Sequence, residues 1–338
     1  MSDTPSLSKK RVACFGVAFA DRLGQLQESV GDEFEIFPVA ASQTQEGMAE
    51  AFNDVFAVIA VSTADNLPLP QDLKLLQVPG IGWDGIQAEH VPLGAKIANV
   101  AGHETAVAEY CLAQMLEWCQ KLRSADAGLR AGSWARSSRF GGAPHRELRG
   151  ATVGIVGYGG IGRELAGMLK ALGVRVLAAN RSSSAFDDQL EGCFALSDIP
   201  AMFEQCDFAV IAAALTPETR GLIGENALEA LGTEGVLINV ARGPVVDERA
   251  LYEALAGERI GGAIIDVWYR YPDRLDDPDP KPSHFDFSAL NNVSMTPHIS
   301  GWTEGTASRR VAIIAENLQR AAAGEPLLNV VATGKRTT

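Results

Sequence analysis

Thr152-Val153-Gly154-Ile155-Val156-Gly157-Tyr158-Gly159-Gly160-Ile161-Gly162-Arg163 is the stretch on which the reading of this chain turns. A short apolar run ends in Gly157, Gly159 and Gly162, spaced G-x-G-x-x-G, and a helical pattern follows. The first glycine permits a tight turn, the second lets backbone approach a pyrophosphate, and the third lets helix and strand pack closely. The helix start adds N–H donors and the positive end of a dipole. The spacing predicts a strand–turn–helix that binds a dinucleotide, with Gly160 and Ile161 in the same turn. About 20 positions on, an acid would accept from a ribose 2′-OH. Leu177-Ala178-Ala179-Asn180-Arg181-Ser182-Ser183-Ser184 carries none. Asn180, Arg181 and Ser182 with the next serines suit a 2′-phosphate, which a guanidinium attracts and no carboxylate repels. NADP(H) is therefore expected over NAD(H), which stays possible. The rival reading leaves Arg181 as a solvated loop charge, with Asn180 on the ribose.

Outward from that turn the same rhythm repeats. Arg11–Val17, Glu35–Val39, Val55–Val61, Leu73–Val78 and Lys96–Val100 read as strands, with helices over Asp21–Val30 and Gln45–Phe52. A helical pattern from His103 to about Arg130 puts Val107, Cys111, Met115 and Trp118 on one face. A second series follows at Thr152–Val156, Val174–Ala178, Phe208–Ala212, Gly235–Asn239, Gly262–Val267 and Val293–Met295, then a helix from about Glu304 to Ala322. Alternating strands and helices predict an α/β protein of parallel sheets covered on both faces. The 338 residues suggest two such domains.

Composition narrows the function classes. A chain that is 46% apolar and 21% charged is neither disordered nor fibrous. Its net charge of −13 repels phosphate backbones and anionic membranes, so no nucleic-acid or membrane partner is expected. The longest clean apolar runs, such as Phe208–Leu215, fall well short of the roughly 20 residues of a membrane helix. Cys14, Cys111, Cys119, Cys193 and Cys206 are odd in number and form no C-x-x-C pair, which points to a reducing cytoplasm with no disulfide framework or metal site. Lys9-Lys10-Arg11 before Val12–Ala20 imitates a secretory signal, but the same residues serve better as the first strand of a βαβ unit.

Three further stretches give the turn a context. They are Asn239-Val240-Ala241-Arg242-Gly243-Pro244-Val245-Val246-Asp247, Gly262-Ala263-Ile264-Ile265-Asp266-Val267-Trp268 and Thr296-Pro297-His298-Ile299-Ser300-Gly301. With the glycine turn they resemble the D-isomer-specific 2-hydroxyacid dehydrogenases, among them glyoxylate/hydroxypyruvate reductases and formate dehydrogenases. Gly80-Ile81-Gly82-Trp83-Asp84-Gly85-Ile86 is similar to that family's substrate-anchoring loop. Val107-Ala108-Glu109-Tyr110 is similar to the start of its inter-domain helix, with Tyr110 where many members have His. The resemblance implies two Rossmann-like or flavodoxin-like doubly wound domains with an inter-domain cleft. Residues 1–101 and 303–338 would form the substrate-binding domain and residues 102–302 the dinucleotide-binding domain, paired as a homodimer through the latter. It implies a small anionic carboxylate as substrate, held by Arg242 and by the Ile81 and Gly82 amides. It makes His298 the proton donor or acceptor, puts Asp266 at the nicotinamide carboxamide, and counts Ala241 and His298 among the cofactor-binding residues. His103 and Trp302 are candidate substrate contacts, although these and Trp83, Trp268 and Tyr269 could equally be packing.

One position departs from the pattern. Tyr271 stands before Pro272, five residues after Asp266, where the family has the Glu that pairs with the His. Formate dehydrogenases also lack that Glu, which keeps a formate-type reaction open beside 2-keto acid reduction. A corepressor-like dinucleotide sensor is the reading from outside enzymology. If Tyr271 partners His298, reduction should fall off at lower pH than in Glu-bearing relatives, because a phenol lends no charge to the imidazolium. The other candidate partner is Glu104.

Overall fold

The computed structural model describes residues 9–16, 19–63, 67–182, 187–272 and 281–337. Val17 and Ala18 of the signal-like stretch, and Ser183 and Ser184 of the ribose-side run, lie outside the described residues. The chain divides into two compact units, one of residues 1–102 with 304–338 and one of residues 103–303.

In the first unit β1 (Lys10–Phe15), β2 (Phe34–Val39), β3 (Val55–Ile59), β4 (Leu75–Gln77) and β5 (Lys96–Ala98) pair in parallel, in the order β2-β1-β3-β4-β5. This is the flavodoxin-like order. Lys10–Phe15 of the signal-like stretch is thus a strand paired on both sides. The chain's last strand, Val330–Thr333, runs antiparallel onto β5. Alternate residues of each strand face opposite ways. Val12, Cys14, Ile59 and Leu75 pack under α1 (Leu23–Val30) and the C-terminal helix Glu304–Ala323. Ala13, Phe15, Val58 and Leu76 pack on the other face with Met48 and Phe52, which belong to and follow α2 (Gln45–Ala51).

The last helix is tied to this unit by polar contacts as well. Asn317 and Gln77 are both fully buried. Asn317 Nδ2 donates to Gln77 Oε1 at 2.8 Å and to the Leu328 carbonyl at 3.1 Å. Its Oδ1 accepts from the Leu328 amide at 2.7 Å. Buried amides need such partners, so this pair fixes both the helix position and the chain's return to the sheet edge.

In the second unit β6 (Thr152–Val156), β7 (Arg175–Ala179), β8 (Gly192–Phe194), β9 (Phe208–Ile211), β10 (Val236–Asn239), β11 (Gly262–Ile265) and β12 (Val293–Met295) form one parallel sheet. Its order is β8-β7-β6-β9-β10-β11-β12, which reverses between β6 and β9. The helices α3 (Glu104–Gln120), α4 (Leu122–Arg130) and α5 (Gly160–Ala171) precede or follow β6. Cys111 and Met115 of α3 and Leu165 and Leu169 of α5 cover the face that carries Ile155, Val210 and Ile238. The opposite face, with Val156, Ile211 and Leu237, is covered by α6 (Ile199–Phe203), α7 (Glu225–Leu231) and α8 (Glu248–Ala256).

The long helix expected from His103 to Arg130 is two helices, broken at Lys121 in the left-handed region at φ 58°. The Lys121 amide closes α3 on the Glu117 carbonyl at 2.7 Å, and its ammonium lies 3.7 Å from the Trp118 ring centroid. A stacked cation offsets part of the cost of that backbone. Cys14, Cys111, Cys119 and Cys206 are buried, Cys193 is exposed, and all five are free thiols. Among the described residues no helix is long and apolar enough to cross a membrane.

Asn317→Leu should cost about 3 kcal/mol by stranding Gln77 and the Leu328 amide in the core. The measure is a lower urea midpoint, and adding Gln77→Leu should recover part of the loss.

Candidate functional site

Parallel pairing places the carboxyl ends of β6, β9, β10, β11 and β12 on one edge of the second unit's sheet. In open α/β sheets ligands bind outside that edge, where the strand order reverses. The glycine turn leaves β6 at that reversal. Gly157 has φ 94°, and a Cβ there would lie 2.5 Å from the Ala213 amide nitrogen beyond β9. A Cβ on Gly162 would lie 2.9 Å from the Gly157 carbonyl oxygen and 3.3 Å from the Ile155 side chain. These two glycines are forced by packing. Gly159 is different: a Cβ there would meet nothing within 4 Å. The protein leaves the space over Gly159 open at the start of α5, which fits backbone approach by a pyrophosphate. Gly160 lies against the Glu104 side chain, and Ile161 is the next residue of α5.

On the ribose side, the Asn180 amide donates to the Phe194 carbonyl at 3.2 Å, while Arg181 and Ser182 are exposed. The nearby Glu218 carboxyl is held below its ordinary range, first by the Thr216 hydroxyl and also by the Arg181 charge. A 2′-phosphate at Arg181 would therefore share the guanidinium's field with a carboxylate.

Arg242 follows β10 on a turn that Asn239 builds. Asn239 is buried at the strand end; its Nδ2 donates to the Arg242 carbonyl at 3.1 Å and its Oδ1 accepts from the Ala241 amide at 3.2 Å. Arg242 Nη1 donates to the Ala241 carbonyl at 2.8 Å. A Cβ on Gly243 would collide with the Trp268 carbonyl oxygen, so the turns after β10 and β11 are pressed together.

Asp266 follows β11 and is fully buried. Its Oδ1 accepts from the Thr296 hydroxyl at 2.6 Å and the Ile299 amide at 2.9 Å; its Oδ2 accepts from the Ser300 amide at 2.8 Å. Asp266 thereby holds the turn after β12. His298 sits on that turn, exposed and left-handed at φ 60°. For a non-glycine residue such a backbone costs about 1–2 kcal/mol, so the surroundings must impose it. The Tyr271 hydroxyl lies 3.0 Å from His298 Nδ1 and accepts from the Trp268 amide at 3.1 Å. The structure thus brings Tyr271 to His298 at hydrogen-bond distance.

The remaining candidates differ in burial. Trp268 is buried, donates to the Thr296 carbonyl at 2.8 Å and packs edge-on to Phe287. The Tyr269 hydroxyl donates to the Val246 carbonyl. His103 is buried at the start of α3, and Trp302 is partly exposed. In the first unit the Asn99 side chain donates to the Ile81 carbonyl at 2.7 Å, fixing the Gly80–Ile86 loop on which Ile81, Gly82 and Trp83 are carried. The sequence reading gave Asn239, Asn99 and Thr296 no role; a polar residue closing an apolar strand was the signal for the first two.

Comparison with known proteins matches residues 112–300 to one family, described as D-isomer specific 2-hydroxyacid dehydrogenase, NAD binding domain. The chain is 33% identical over 270 residues to a D-3-phosphoglycerate dehydrogenase of Archaeoglobus fulgidus, covering 79% of this chain and 49% of that protein. It is 30% identical over 302 residues to a glyoxylate reductase of Thermococcus gammatolerans, covering 85% of each. An NADPH-dependent glyoxylate/hydroxypyruvate reductase of Sinorhizobium meliloti, solved with NADP and malonate, superposes with a TM-score of 0.77 at 26% identity, covering 98% of this chain and 100% of that one. The chain spans about half the length of the phosphoglycerate dehydrogenases it matches.

Two alanine substitutions in the glycine turn should behave oppositely. Gly157→Ala should lower the melting temperature, because its backbone strain alone costs about 1–3 kcal/mol. Gly159→Ala should melt near wild type yet bind dinucleotide about tenfold or more weakly, a loss of about 1.4 kcal/mol or more. Thermal melts and tryptophan-fluorescence titrations with NADPH and NADH read the two effects.

Proposed function

The chain belongs to the D-isomer specific 2-hydroxyacid dehydrogenase family, and from that premise we propose that it is an oxidoreductase of small 2-keto and 2-hydroxy acids. Its reaction moves a hydride between a nicotinamide dinucleotide and an acid of the glyoxylate/hydroxypyruvate class, with D specificity. The observation that carries this reading is the series of strand-end turns: Arg242 after β10, Asp266 after β11 and His298 after β12, on the edge where the glycine turn opens. Residues 103–303 are the proposed dinucleotide-binding unit and the other unit the substrate-binding one.

The bound nicotinamide supplies the hydride in reduction. Adding hydride to a 2-keto acid builds an alkoxide beside a carboxylate, and the Arg242 fork can neutralise both. His298 supplies the proton to the new hydroxyl from Nε2, since Nδ1 faces Tyr271. An imidazole ordinarily titrates near ~6.5, so it can serve as donor close to neutral pH. Asn180, Arg181 and Ser182 support NADP(H) as the preferred cofactor, as does the NADPH dependence of the Sinorhizobium relative. We also infer a cytoplasmic homodimer joined through the dinucleotide-binding unit. An odd number of cysteines with no C-x-x-C pair supports the compartment, and the exposed apolar side chains of Leu122, Leu129, Trp134 and Phe140 support the contact.

A panel of 2-keto acids and formate, each with NADPH and NADH, tests the proposal. Keto-acid reduction with a higher kcat/KM for NADPH is expected. Formate oxidation without keto-acid reduction would replace it with the small-anion reading, and tight cofactor binding without turnover would leave a sensing protein.

Arg242→Ala and His298→Ala should each lower kcat/KM by about 100-fold or more while dinucleotide binding stays measurable by fluorescence. Near-full reduction by His298→Ala would mean that another group gives the proton. Reduction needs the imidazolium, so its rate falls as pH rises through the His298 pKa. A carboxylate at position 271 favours the charged ring, so Tyr271→Glu should move that limb of the kcat/KM profile to higher pH. An unmoved limb in a folded, active variant would remove Tyr271 from the proton path.

A further inference from the structure

We propose that Tyr110 and Thr296 are positioning residues for His298, acting through the buried Asp266 carboxylate. The inference rests on the reading of His298 as the proton donor. The starting point is the backbone: a histidine at φ 60° stays there only if the residues around it are fixed. The two residues after it are fixed by Asp266, which takes the Ile299 amide at 2.9 Å and the Ser300 amide at 2.8 Å. On the near side, the Thr296 carbonyl accepts from Trp268 Nε1 at 2.8 Å.

Donor and acceptor counting then sets a direction. The Thr296 hydroxyl donates to Asp266 Oδ1 at 2.6 Å. That uses its single proton. The Tyr110 hydroxyl, 2.6 Å from Thr296 Oγ1, is therefore the donor in its own pair. The chain of bonds runs from Tyr110 to Thr296 to Asp266, where it meets the two amides that follow His298. Burial, opposed by the Thr296 contact and reinforced by the Asp266 charge, pushes the Tyr110 phenol above its ordinary pKa, so it keeps its donor proton at neutral pH. Tyr110 is carried by α3, whose Cys111 and Met115 are wholly buried with α5 in the core. The relay thus anchors the exposed histidine turn to a helix packed into the core of its unit. Chained hydrogen bonds around one buried carboxylate act together, so loss of one loosens the others.

The test uses Thr296→Val, Thr296→Ser and Tyr110→Phe in the full chain, with two readouts. Hydrogen exchange by mass spectrometry follows the peptide carrying the Ile299 and Ser300 amides and needs no substrate. Steady-state kinetics follow kcat on the keto acid that the panel identifies. Thr296→Val should speed exchange of that peptide about tenfold or more and lower kcat about tenfold or more, with dinucleotide affinity near wild type and any fall in melting temperature reversed by serine. Tyr110→Phe should move both readouts the same way by less, and Thr296→Ser, which keeps the hydroxyl, should restore both. Unchanged exchange in the Val and Phe variants overturns the proposal, as does faster exchange with unchanged kcat. Activity lost in step with cofactor binding and melting temperature, and not restored by serine, marks a general structural role and also overturns it. A protein that turns over no keto acid sinks the functional reading instead; the exchange arm then decides the relay on its own.

Discussion

Parallel pairing is the constraint from which the candidate site follows. Seven strands running one way deliver their carboxyl ends to one edge, and each end releases a turn there. Neighbouring strands lie about 4.8 Å apart, so residues that end β10, β11 and β12 are brought within reach of one another despite long separations in sequence. The crossover helices that parallel pairing demands cover both faces, leaving that edge as the place where polar side chains can emerge. The reversal of strand order between β6 and β9 adds the opening into which Gly159 faces without a neighbour.

Chemistry at such an edge requires exposed groups on rigid supports, and here buried polar residues supply the rigidity. Asn239 ends β10 and holds both sides of the Arg242 turn. Asp266 ends β11 and holds the turn that carries His298. Asn99, just past β5, does the same for the Ile81 loop in the other unit. Each would be costly to bury alone, and each is satisfied by backbone groups of the turn beside it. Burial and hydrogen bonding are therefore spent on the supports, while Arg242 and His298 keep solvent access for a ligand.

What was legible in the sequence follows the range of the interactions. Alternating βα pattern located nearly every strand to within two residues, because the signals of a buried parallel strand are local. The exceptions are instructive. The three residues of β8, Gly192–Phe194, are too few to show a pattern, and the last strand is an edge strand recruited by β5. The break at Lys121 has neither Gly nor Pro to announce it, and the apolar spacing runs on through Leu122 and Leu129. The glycine turn was readable from spacing alone, whereas Arg242 and His298 became visible only through family resemblance. The bonds from Asp266 to Thr296, Ile299 and Ser300 join segments about 30 residues apart, and Tyr110 lies farther away still; no window of sequence contains them.

The change from Glu to Tyr at position 271 shifts how the site must divide its labour. A carboxylate beside an imidazole does two things: it orients the ring and it favours the charged form. The phenol of Tyr271, with its oxygen already accepting the Trp268 amide, can orient His298 through Nδ1 but brings no charge of its own. In the proposed reaction, Arg242 must then carry the stabilisation of the developing alkoxide. Ring placement falls to the backbone as well, which explains why a left-handed histidine is worth its strain. The turn bonded to Asp266 fixes where the ring starts, and Tyr271 fixes which way it faces. Neither contact depends on a charge on His298, so the geometry is available to the neutral and the protonated ring in the proposed reaction.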